Sequence, residues 1–161
     1  MSKKLVAIDP SINDLGFACF EIVTKKLIHY ELMHPEKEER EDFKNKSFSL
    51  YKKIRWYIDQ ENVVVVVCEV PEYWDKAGFV ARESGAIFKL CFICGMIYTL
   101  QTDYKIDIIT PTPKEWKGQL SKNVMCNRLR QHYEKIVDLS KLNHNIVDAI
   151  GLGHWALFGR V

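Results

Sequence analysis

The sequence predicts an α/β fold: five strands in one mixed sheet, flanked by helices. Three observations predict it. Apolar runs with strand character open the chain in close succession, separated by turn-forming residues. Five consecutive valines, Val63–Val67, form a β-branched run without alternation, as in a strand covered on both faces. Between and after these runs, apolar residues recur at helical spacing.

Taken in order, Lys4–Asp9 reads as a buried strand, and Pro10–Leu15 as a loop. Gly16–Val23 and Leu27–Met33 follow as strands joined by the turn Thr24-Lys25-Lys26, giving an antiparallel meander. In Phe43–Gln60 the residues Phe43, Leu50, Ile54, Tyr57 and Ile58 fall on one helical face. The valine strand ends in Cys68-Glu69-Val70-Pro71. Ala77–Gln101 reads as a long helix, apolar almost all round from Ile87 to Ile97, so it must bury more than one face. Lys105–Ile109 is the fifth strand. Pro113–Lys117 and Lys122–Lys135 are a short and a longer helix, with Ser121 as an N-cap candidate, and Asn143–Phe158 is the last helix. No repeat or linker interrupts residues 1–161, so one domain is expected.

The net charge of +2 is too small to show nucleic-acid binding by itself. Its distribution is more informative: residues 34–42 are acidic on balance, whereas residues 105–141 are basic, which predicts a positive face. The five cysteines are an odd number without a secretory signal, so an intracellular, cytoplasmic protein is expected. The lone pair Cys91 and Cys94 reads as buried core thiols. The longest apolar stretch, Ala86 to Leu100, contains Lys89 and is shorter than the ~20 residues that span a bilayer.

Three carboxylates fall at the edges of buried elements. Asp9 ends the first strand, Glu69 closes the valine strand, and Asp148 sits in the apolar context Ile146-Val147-Asp148-Ala149-Ile150. Burying a charge costs several kcal/mol unless it is paired or metal-bound, and no Lys or Arg lies within four residues of Asp148. Singly, each has a structural reading as a turn initiator, an exposed strand end or half of a distant ion pair. Together they point to a hard cation held by oxygen ligands, Mg²⁺ or Mn²⁺.

The order of these residues resembles that of RuvC-type Holliday-junction resolvases of the short phage kind, within the ribonuclease H-like superfamily. Ile8-Asp9-Pro10-Ser11, with Gly16-Phe17-Ala18 after it, is similar to the first motif. Val67-Cys68-Glu69 is similar to the second, and Asn145-Ile146-Val147-Asp148-Ala149-Ile150 to the third. Ala81–Ala86 resembles the start of the helix that pairs subunits. Thr112–Gly118 followed by Lys122 resembles the basic segment after the fifth strand.

The resemblance implies two-metal hydrolysis of DNA phosphodiesters in branched DNA, with ions about 3.5–4 Å apart. It implies a homodimer, and metal ligation by Asp9, Glu69, Asn145 and Asp148, the three carboxylates being catalytic. Asn145 departs from the usual Asp or His. A neutral ligand is one reading of it, and support of Asp148 by His144 is the other, since both spacings share a helix face. Lys114, Lys117 and Lys122 are expected to contact phosphates, each with an alternative as a solvated side chain. Tyr73 and Trp74 are placed to stack on an unpaired base or to sit at a rim. Trp116 reads equally as core or as DNA contact. Two rivals remain within the nuclease class, a ribonuclease H and a flap endonuclease. A non-catalytic DNA-binding module of the same fold is a third rival. An actin-like ATPase would need a Gly-rich phosphate loop that the chain lacks.

Overall fold

In a computed structural model of the chain, residues 2–72, 85–159 and 161 are described. Five strands form one sheet: β1 (Lys4–Asp9), β2 (Leu15–Glu21), β3 (Lys26–Met33), β4 (Val63–Cys68) and β5 (Asp107–Ile109). Their order across it is β3-β2-β1-β4-β5. The first three are antiparallel neighbours, while β1–β4 and β4–β5 are parallel, so the sheet is mixed as expected. The helices are α1 (Phe43–Gln60), α2 (Ala86–Tyr104), α3 (Pro113–Trp116), α4 (Lys122–Tyr133) and α5 (His144–Phe158).

The side-chain period of two sorts β1 between two cores. Val6 and Ile8 join a cluster with Leu50 and Ile54 of α1 and with Ile93 and Ile97 of α2. Leu5 and Ala7 join the opposite cluster with Leu129 of α4 and Ile150 of α5. Both faces of β1 and β4 are therefore covered, which explains the unbroken apolar runs. The same parity sends Asp9, and Glu69 beyond Val67, toward the α5 face.

Several boundaries differ from the sequence reading, each for a local reason. The second strand stops at Glu21, short of the expected Val23, and Val23 is 80% exposed at the turn. Helix α2 runs to Tyr104, past Gln101, and is ended by Lys105 in the left-handed conformation (φ 55°). That leaves β5 only three residues, two later than expected. Cys91 and Cys94 were expected to be core thiols. Cys91 is exposed and Cys94 half-buried, because α2 turns that edge away from the sheet. The start expected for this helix, Ala77, lies outside the described residues, as do Tyr73, Trp74 and Ala81–Ser84. Among the described residues, no helix is long and apolar enough to cross a membrane.

Candidate active site

The site is built where β1 and β4 end side by side. The backbone N–H of Glu69 donates to the carbonyl of Ile8 at 3.1 Å, which extends the parallel ladder by one step beyond Cys68. Asp9 and Glu69 thus leave the sheet on adjacent strands. From above this edge α5 delivers Asp148 at its second turn.

Helix α5 approaches closely because Gly16, the Cα partner of Asp9 on β2, has no side chain. A Cβ there would stand 2.0 Å from the backbone oxygen of Asn145. The approach is fixed again by the Asn145 side chain, whose amide nitrogen donates to the backbone carbonyl of Asp14. Asn143 caps the helix by accepting from the Asn145 N–H at 2.9 Å.

The carboxylates share one electrostatic environment. Burial is the main reason the Asp9 carboxyl is held well above its ordinary range, and the charges of Asp148 and Glu69 push it further. Lys117 and Lys122 pull the other way. Burial also raises the Glu69 carboxyl. Lys117 and a hydrogen bond from Trp116 oppose that rise, while Asp148 adds to it. Asp148 has one buried carboxylate oxygen, Oδ1, with no hydrogen-bond partner among the described residues.

Among the described residues, one cation lies within ion-pair reach of these groups. Lys117 Nζ lies 3.6 Å from Glu69 Oε2 and 4.0 Å from Asp148 Oδ2. It also sits 4.8 Å from the centre of the Trp116 ring, a cation–π contact. Trp116 is buried (3% exposed), and its indole Nε1–H donates to Glu69 Oε2 at 2.5 Å. Thr112 and Glu115 hold α3 in place through a reciprocal capping box, with Pro113 in its first turn. Behind the site, the thiols of Cys68 and Cys94 both donate to the Glu69 carbonyl oxygen at 3.6 Å.

Of the residues singled out in the sequence, Asp9, Glu69, Asp148 and Lys117 come together. Asn145 borders them, but its amide nitrogen is committed to Asp14. His144 lines a separate groove with Lys122, and Lys114 is exposed on α3. The sequence reading missed Trp116 as the donor that orients Glu69. The available signal was an indole N–H at the end of a capped turn, since a buried Trp needs an acceptor. It also missed Lys117 as the charge between two carboxylates.

The donor set suits a hard cation, for it offers three carboxylates and an unpartnered buried oxygen. Among the described residues, no group of three or more His, Cys, Asp or Glu side chains is gathered closely enough to hold an ion as it stands. In this arrangement the ammonium of Lys117 supplies the positive charge.

No family model and no curated sequence matches the chain. Solved structures do resemble it. RuvC of Thermus thermophilus, in complex with a Holliday junction substrate, aligns with a TM-score of 0.73 at 14% identity. The alignment covers 98% of this chain and 94% of that one. The yeast mitochondrial Holliday junction resolvase Ydc2 aligns with a TM-score of 0.64 at 14% identity, over 94% and 76% of the two chains. The fowlpox virus resolvase, solved with its substrate Holliday junction DNA, gives 0.59 at 15% identity, over 96% and 99%. The fold is thus the ribonuclease H-like five-stranded mixed sheet flanked by helices.

Proposed function

We propose that this chain is a metal-dependent endodeoxyribonuclease that cuts branched DNA, above all the four-way Holliday junction. The observation that carries the reading is the convergence of Asp9, Glu69 and Asp148 at one sheet end, with an unpartnered buried oxygen on Asp148. The fold likeness to three resolvases supports it.

The cofactor of this reading is Mg²⁺ or Mn²⁺, two ions per site, which Asp9, Glu69 and Asp148 would hold. Bound ions would activate a water and neutralise the leaving 3′ oxygen. The chain's own residues do the rest. Trp116 fixes the rotamer of Glu69 by occupying one of its oxygens. Lys117 holds the carboxylates' charges in check and, when it leaves them, offers its ammonium to a phosphate. Lys114 and Lys122 add phosphate contacts that set position without reading sequence. Tyr73 and Trp74 stack on an unpaired base at the branch point. Asn145 fixes the loop beside Asp9, so any ligation from this position falls to its remaining amide oxygen.

Two symmetric cuts need two equivalent sites, which a C2 dimer supplies. The dimer contact is the outer face of α2, where Phe88 is 64%, Phe92 36% and Tyr98 54% exposed. Met96, one turn beyond Phe92 on the same helix, packs against the α1–α2 core. Phe43 of α1 braces Phe88 and Phe92 edge-on, at 5.7 and 5.5 Å between ring centres.

The test is incubation with four-way junction, flap, duplex and RNA/DNA hybrid substrates in Mg²⁺ and then Mn²⁺. Paired nicks in the junction are expected. Preferential cleavage of the hybrid or the flap would move the chain to those nuclease types. Binding without any cleavage would make it a DNA-binding module. Light scattering should give twice the chain mass, and Phe92→Asp should halve it.

A further inference from the structure

The basic segment of the sequence is only partly used by the site. Lys117 turns inward, whereas α4 lays a second set of polar residues along a groove of about 410 Å³ between itself and the start of α5. Lys122, Asn123, Asn127 and Arg130 line it from α4, and His144 lines it from α5. No Asp or Glu is among the described residues that line it. Asp138, next to Ser140 on the rim, is already committed to Ser140 and to Lys141.

The side chains of Asn123, Asn127, Arg130 and His144 make no hydrogen bond or ion pair among the described residues. A row of donors without acceptors is a surface arranged for an acceptor that comes from outside. Residues 123, 127 and 130 recur at i, i+4 and i+7, one stripe on the helix. At ~1.5 Å per residue the stripe is ~10.5 Å long. That matches the axial advance of about three phosphates of one strand, at ~3.4 Å each. The groove begins one helical turn from the carboxylates, because His144 in its lining stands four residues before Asp148 on α5. Val147, the sequence neighbour of Asp148, also lines it.

We propose that this groove carries the sugar–phosphate backbone of one DNA arm away from the carboxylate site, with Arg130, Asn127, Asn123 and His144 as its contacts. The inference rests on the nuclease reading above and adds the path of the strand to it. Arg130 meets a phosphate as a charge. The two asparagines donate neutral N–H groups, which fix register without contributing to counterion release.

The experiment uses the full chain and a labelled four-way junction, with Ca²⁺ in place of Mg²⁺ to hold off cleavage. Binding is measured across a range of salt concentrations for Asn127→Asp, Arg130→Gln and the double variant. Both positions are exposed on α4, and thermal melts confirm that each variant is folded. Lys26→Gln, at the opposite end of the edge strand β3, is the control. Each single variant should weaken junction binding by about three- to tenfold, and the double by more. Arg130→Gln should also flatten the log–log salt slope by about 0.7–0.9. Lys26→Gln should change neither.

Wild-type affinity and slope in the folded double variant would overturn the groove, while intact wild-type cleavage would leave the nuclease reading standing. A wild-type chain that neither binds nor cuts any junction would overturn the parent reading first. If the double variant loses binding to a polyglutamate competitor but keeps its junction affinity, the groove is a docking site for acidic peptide and this proposal fails.

Discussion

The two ends of the sheet hold carboxylates in opposite circumstances. At the end where β1 begins, Glu61 is paired with Lys4, and Glu21 accepts from the Thr24 hydroxyl, which lowers its carboxyl. Both of these acids meet a donor or cation close by. At the end where β1 stops, three acids face one another, two of them are pushed up, and one lysine is shared between two of them. Both ends belong to the same strands and the same core. The first arrangement is what folding selects when only stability counts. The second destabilises the chain alone and becomes favourable when a cation arrives, so a function is the economical explanation for it.

The comparison breaks most visibly at Asp9. Asp9→Asn should reduce junction cleavage by about 10³-fold or more, the scale expected when a group acting in the transition state is removed. Junction binding should persist, since phosphate contacts dominate affinity. Without metal, the same change should raise the melting temperature at neutral pH, because it removes a desolvated charge facing two others. The pH dependence follows from the direction of the shifts. Folding raises Asp9 above its ordinary 3.8 and Glu69 above 4.5, so the folded chain binds protons more tightly there than the unfolded chain. Their contribution to stability is fully present below those ordinary values and is lost as pH rises through the folded ones. Glu21 has the opposite sign, present above 4.5 and lost as pH falls. Melts in chelator from about pH 4 to 8 should therefore decline less on the alkaline side for Asp9→Asn than for wild type. Added Mg²⁺ should restore wild type and leave the variant unmoved.

Gly16→Ala tests how the two acids are brought under α5. Its Cβ would meet backbone, not a side chain that can turn aside. Overpacking typically costs about 1–3 kcal/mol, and this case belongs at or above the upper end. The loss should appear in chemical denaturation, accompanied by loss of cleavage, since the strand that moves is the neighbour of Asp9.

Trp116→Phe is the next smaller change. It keeps most of the buried ring but removes the donor to Glu69. The carboxyl should rise further, so the acidic limb of the cleavage profile should move to higher pH. A hydrogen bond to a charged group is worth about 1.5–3 kcal/mol, which corresponds to a rate loss of about 10- to 100-fold below that limb. An unmoved profile would remove Trp116 from the site.

These residues also mark where the sequence was legible. The order of elements along the chain, the meander, the valine strand and the edge positions of the three carboxylates could be read because they rest on local pattern: period two, turn residues, and charges stranded in apolar context. Trp116 and Lys117 could not be assigned, because their partner Glu69 lies 47 residues before Trp116 and only the packing of α3 joins them. The end of α2 was misjudged because Lys105 takes a left-handed conformation that gives no compositional signal, unlike glycine. The groove on α4 was invisible as a groove, since its far wall comes from the start of α5.

Asn145 is where the sequence and structural readings differ most, and its effect should be the smallest and most discriminating. One of the two sequence readings makes it a neutral metal ligand, the other giving that support to His144; on the first, Asn145→Asp adds charge and tightens metal binding. In the structure its amide nitrogen donates to the Asp14 carbonyl and ties the β1–β2 loop to α5. An ionised aspartate cannot donate, and it would face that carbonyl with a negative charge. Asn145→Asp should therefore cost about 1 kcal/mol in chelator, the lower end of the range for an unpaired acceptor, because the contact is only part-buried. Asn145→Ala should lose a comparable amount, having lost the tie alone. The two variants separate when Mg²⁺ is titrated against the melting temperature. If position 145 also reaches the metal, Asn145→Asp should gain more from Mg²⁺ than wild type, and Asn145→Ala less. If its role is only to tie the loop, both variants should stay below wild type by the same amount at every metal concentration. A metal-free Asn145→Asp as stable as wild type would show that the Asp14 contact contributes nothing. The residue would then return to the ligand role that its position beside Asp148 first suggested.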